Sequence, residues 1–208
     1  MRSMRRLGRL FRGGSDGNAR LTGAAGAVLL VLLAAEGLTL LGGVGRYLTP
    51  HIFIGLLIVP PILLKLASTS WRMLQYYRRA EEYVRRGPPH ILLRALVGPV
   101  LAVATVLVIA SGIVAVLVGH GGIWLGLHKV SFVVWGIAFG LHVLAHVLEL
   151  PRLLTVDWWR GDRLGGRRLR QLVLAVSLVA GVVVAFAAFP LAHHWQGGFD
   201  FDRDSDGF

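Results

Sequence analysis

The chain has 208 residues, 55% hydrophobic and only 16% charged, against about 25% charged in soluble domains. Its formal charge of +11 does not describe a nucleic-acid groove, because eighteen of the 22 Lys and Arg fall in three separate segments, 1–20, 72–94 and 150–170. These alternate with apolar blocks instead of converging on one surface. With no cysteine in the chain, disulfides, thioether-linked haem and cysteine-held iron–sulfur clusters are excluded, and any redox group must be held by His, Met or Lys.

Crossing a bilayer as a helix takes about 20 apolar residues, since a backbone group left unpaired in lipid is costly. Five stretches meet this in chain order: about 21–41, 51–70, 95–118, 127–150 and 172–191. Glycine and proline mark the gaps, at Gly42-Gly43, Pro50, Gly87-Pro88-Pro89, Gly119 to Gly122, Pro151, Gly165-Gly166 and Gly197-Gly198. Pro60-Pro61 lies inside the second stretch, where a kink is expected, and Pro50 suits the start of that helix. The first apolar run is longer than the 7–15 residues of a signal-peptide core, so it is expected to stay in place as a helix. The sequence thus predicts an all-α integral membrane bundle of about five transmembrane helices, four forming a core and one added. Its expected organisation is a basic segment at 1–20, the bundle at 21–191 and an acidic tail at 192–208.

The three basic segments set the expected topology by the positive-inside rule: N-terminus in the cytoplasm, C-terminus outside, in a bacterial inner (plasma) membrane. Trp124, Trp158, Trp159 and Trp195 then fall near the interfaces, where belt aromatics are found. In the tail, Asp202, Asp204, Asp206 and Gly207 match the first half of a calcium-loop pattern. The bidentate Glu that closes such a loop is missing, so the tail is read as a solvated acidic segment and not as a calcium site.

Histidines carry the chemistry. Of the eight, His90, His120, His193 and His194 lie in loops or beyond the last span and read as solvated or interfacial. His51 opens the second span and His128 the fourth. Both spans run in the same direction, which puts the two imidazoles at one depth on different helices. That arrangement suits the two axial ligands of a b-type haem, whereas the bland alternative leaves each as a hydrogen-bonding residue near the surface. His142 follows His128 by 14 residues, about 21 Å along a helix and near the same face, so it is a candidate inner ligand for a second haem. The matching position on the second span is Lys65, a poor ligand when protonated, and the two-haem pattern is only half present. His146, one turn beyond His142, is an alternative inner ligand, a propionate partner or an interfacial residue. Glu36, in the outer part of the first span, reads first as hydrogen-bonded to a neighbouring helix and second as a proton acceptor for a quinol. Gly55, Gly112 and Gly140 lie near these histidines, and helix packing accounts for them better than a flat ring does.

The combination of His51 with Leu127-His128-Lys129 through His142 resembles bacterial membrane cytochromes b. This is the group that holds prokaryotic cytochrome b561 and the cytochrome b subunits of hydrogenases and formate dehydrogenases. The stretches His51 through Leu64-Lys65-Leu66 to Tyr76-Tyr77 and His128 to Glu149 look particularly like actinobacterial members. The resemblance covers about residues 21–150. It implies a helical bundle, haem b (one, or two if His142 serves), and electron exchange between quinone and a partner redox protein. Two rival classes make different demands on the sequence. A small transporter or assembly scaffold would need polar residues lining a path through the bundle. A metal-dependent membrane enzyme at His142 and His146 would need acidic ligands beyond Glu149.

Overall fold

The computed structural model describes residues 14–85, 96–118, 122–146 and 166–190, and among them the regular structure is helical, without strands. The helices are α1 (Gly14–Leu41), α2 (Leu48–Tyr77), the short α3 (Glu81–Arg85), α4 (Gly98–Val118), α5 (Ile123–His146) and α6 (Arg167–Ala187). All but α3 are long and apolar enough to cross a membrane. Large apolar side chains such as Val31, Leu63, Val103, Val133 and Val179 stay exposed on their outer faces. In water such faces would be a liability; in a bilayer they are the lipid contact. The chain is a multi-pass, all-α membrane bundle. His90, His120, His193, His194, Glu149 and the acidic tail lie outside the described residues.

α1 and α2 overrun their apolar windows, because a window finds the lipid-facing stretch and a helix continues past it, whereas α4 begins at Gly98 inside its window. α1 starts at Gly14 and α2 at Leu48, so Pro50 sits within the first turn of α2, where the backbone N–H has no helical partner anyway. α2 remains helical through Pro60 and Pro61. It ends in a Schellman turn, with Arg79 at φ 57° and Ala80 N–H donating to the Gln75 carbonyl at 3.0 Å. α3 then folds back toward the start of α1, bringing the Glu82 carboxylate beside Gly14.

Packing divides the bundle in two. α2 lies between α1 and α6, while α4 pairs with α5, and α2 meets α4 only lightly. The α2–α6 contact is dictated by a proline. Pro61 has no N–H, so the Leu57 carbonyl one turn earlier loses its helical donor. Gly181 of α6 packs onto that carbonyl so closely that a Cβ would collide with it, which lets Cα–H groups approach the freed oxygen. Phe53 and Phe186 meet edge to face at 5.2 Å beside this contact. On α4 the buried residues are small (Ala104, Thr105, Ser111 and Ala115), the pattern that lets membrane helices approach closely. Buried hydroxyls within the helices bond back to carbonyls, as Thr105 does to Leu101 at 2.7 Å and Ser177 to Leu174 at 2.7 Å.

Toward the end of the bundle away from the α1–α2 turn, a polar clasp joins α1 to α2. Asn18 Nδ2 donates to the Ser68 carbonyl at 3.0 Å, Thr22 Oγ1 to Ser68 Oγ at 2.9 Å, and Lys65 Nζ to the Thr22 carbonyl at 2.9 Å. Asn18 is fully buried, and its Oδ1 has no hydrogen-bond partner.

Candidate functional site: two facing histidines

The light contact between α2 and α4 leaves a cavity of about 350 Å³ between the two halves of the bundle. Its wall is almost wholly apolar, with Leu33, Ile58, Ile109 and Phe132 among the lining residues and Glu36, His51, Thr105, His128 and Lys129 as the polar ones. A path for polar solutes would need more such groups along its length. Trp135 is part of the wall, its indole N–H donating to Thr105 Oγ1 at 3.0 Å. It stacks on Phe139 at 4.7 Å and on Phe132 at 6.0 Å, an aromatic surface suited to a flat apolar ligand.

His51 and His128 reach this cavity from opposite halves, as their matched depth in the sequence predicted. Their ring centroids are 6.3 Å apart with planes at 78°. Each ring is held through Nδ1. On the α2 side, His51 Nδ1 lies 2.8 Å from Glu36 Oε1 and 3.2 Å from Thr39 Oγ1. Thr39 in turn donates to the Glu36 carbonyl at 2.6 Å. On the α5 side, His128 Nδ1 lies 2.8 Å from the Val108 carbonyl of α4. A carbonyl or carboxylate oxygen only accepts, so in the neutral rings the proton sits on Nδ1 in both. Nε2 is then left as the lone-pair nitrogen, the form in which imidazole binds a metal.

Glycine explains how His128 reaches a backbone carbonyl that already serves α4. A Cβ at Gly112 would fall 2.9 Å from His128 Nδ1 and 3.0 Å from its Cε1, so only a bare Cα lets the ring lie over that turn. Gly112 therefore packs against a ligand-type side chain. A Cβ at Gly55 would make an ordinary 3.5 Å contact with Glu36 Oε1, and one at Gly140 would meet nothing within 4 Å.

Other sequence candidates are placed elsewhere. Lys65 is turned toward α1 and the Thr22 carbonyl, and neither it nor His142 lines the cavity. His146 is the last residue of α5, and its side chain lies outside the described residues. Glu36 is hydrogen-bonded to the neighbouring helix, the reading the sequence favoured. Sequence reasoning missed Thr39, Trp135 and the Val108 carbonyl. Thr39 was findable, being three residues after Glu36 on the same helix face. A backbone carbonyl leaves no signal in side-chain identity.

Among the described residues no group of three or more His, Cys, Asp or Glu is placed to hold a metal ion. Two nitrogens alone are too few for a protein-only site, so a metal here would take its other ligands from a non-protein group. Compared with family models, curated proteins and solved structures, the chain matches none.

Proposed function

We propose that the chain is a b-type membrane cytochrome in which His51 and His128 hold one haem between the two halves of the bundle. One observation carries this reading: two Nδ1-anchored imidazoles from separate helix pairs face one apolar cavity with centroids 6.3 Å apart. His51 and His128 would hold the iron through Nε2, the nitrogen that the Nδ1 contacts leave with its lone pair. The cavity volume of about 350 Å³ lies within the range of small-molecule and cofactor pockets, and the aromatic wall suits a planar macrocycle. Lys129 supplies a cation for carboxylates.

Held by these two imidazoles, a haem would supply single-electron exchange. The protein's own part is to fix both ring orientations before the iron arrives, through Glu36 and Thr39 on one side and Val108 on the other. A preset ligand pair also limits the rearrangement that accompanies each change of charge. The apolar wall would keep water from a haem iron held there. By the positive-inside rule the site lies toward the outer face, and electrons pass there between quinol and a partner redox protein.

The test is a dithionite-reduced minus air-oxidised spectrum of the detergent-purified protein, with haem counted per chain. One haem and a sharp b-type α-band are expected, with both lost in His51→Ala and in His128→Ala. Intact protein from haem-replete cells with no such band would sink the reading.

A further inference from the structure

The two histidines are anchored by chemically different groups. His128 Nδ1 meets a neutral carbonyl at 2.8 Å, while His51 Nδ1 meets the Glu36 carboxylate, also at 2.8 Å. Glu36 has a side chain only 14% exposed. Its second oxygen, Oε2, is buried without a hydrogen-bond partner. Among the described residues its only ion-pair contact is His51. The Thr39 hydroxyl is committed to the Glu36 backbone carbonyl. Negative charge on this carboxylate is therefore not spread over a network, and the His51 ring is the group it touches directly. In an apolar surrounding such a charge acts over several ångströms with little screening. A carboxylate behind an imidazole raises the basicity of its ligating nitrogen.

Granted the haem ligation above, on which this inference rests, we propose that Glu36 is a positioning residue that makes His51 the stronger donor of the two ligands and thereby holds the iron's reduction potential low. A negative charge close to the ring stabilises Fe(III) over Fe(II), because the oxidised centre carries one more positive charge. Thr39 carries no charge to the ring; its hydroxyl bonds to the Glu36 backbone carbonyl and lies 3.2 Å from His51 Nδ1.

The experiment is a spectroelectrochemical titration of purified wild-type protein, Glu36→Gln and Thr39→Val, with haem content measured alongside. Glu36→Gln keeps an oxygen that accepts from Nδ1 but removes the charge. It is expected to shift the Fe(III)/Fe(II) equilibrium tenfold or more toward Fe(II), a rise of about 59 mV per tenfold for a one-electron couple. Thr39→Val retains the carboxylate and removes only the hydroxyl near His51 Nδ1, so it is expected to raise the potential less than Glu36→Gln does. Glu36→Gln with full haem and an unchanged or lowered potential would overturn the proposal. Should Glu36→Gln lose haem, Glu36→Asp decides: haem at the wild-type potential supports the charge, and loss of haem or a raised potential overturns it. Wild-type protein without a b-type band fails at the earlier step and is told apart by that spectrum alone.

Discussion

Gly112→Ala gives two opposite expectations, depending on whether His128 matters. In the middle of an isolated helix the change should help, because alanine is favoured over glycine by about 1 kcal/mol. In this bundle the new methyl lands 2.9 Å from His128 Nδ1 and 3.0 Å from Cε1, well inside ordinary contact. The ring cannot simply slide away, since the same Nδ1 is bonded to the Val108 carbonyl at 2.8 Å. Relieving the overlap stretches or breaks that bond, at about 1 kcal/mol net, and turns the ring from its position opposite His51. Losses of this kind at a ligand's supporting shell weaken metal-centre affinity by about 10–100-fold. Haem titration into the haem-depleted protein, followed at the Soret band, measures the affinity, and thermal unfolding of the same samples measures the helix term. Lower haem affinity with unchanged or raised stability of the haem-depleted protein is expected. Wild-type haem affinity in Gly112→Ala, with Gly140→Ala as an open-space control, would refute the reasoning.

Gly181→Leu should drive α6 off the Leu57 carbonyl and lower thermal stability by about 1–3 kcal/mol, the usual cost of overpacking; a melting curve in detergent checks this. Lys65→Met should keep full haem content and potential, because Lys65 serves the α1–α2 clasp and not the cavity, and His142→Ala should likewise retain one haem per chain. Loss of the α-band in either would bring an inner site back. Asn18→Ala removes the bond to the Ser68 carbonyl and should cost about 1–2 kcal/mol in the same melting assay, with no change in the visible spectrum.

Hydropathy was enough to place all five membrane helices, because lipid imposes one requirement on every crossing segment and 20 apolar residues satisfy it. The meeting of His51 and His128 was legible for a similar reason: helical rise converts sequence position into depth, and two spans of the same direction compare directly. Depth, however, says nothing about azimuth. Lys65 and His142 sit at suitable depths, yet neither lines the cavity. α6 was counted as a span, but its docking site depended on which carbonyl Pro61 sets free, a backbone property visible only once a glycine is seen to rest on it. The extra turns at the start of α1 and α2 were missed because their residues are not uniformly apolar.

The light seam between α1, α2 and α6 on one side and α4 and α5 on the other bears on how such a protein is made. Each side has its own helix partners and answers hydroxyls such as Thr105 and Ser177 locally, and because α6 comes last in the chain, the α4–α5 pair is made before the other side is complete. What remains for last is the closing of the seam, and its two histidines come from opposite sides. With a haem bound as proposed, loading the cavity and joining the halves would be a single maturation event. A membrane protease that samples loosely joined helices would then act at that seam, and under the proposed ligation haem supply would set how much of this protein the membrane retains.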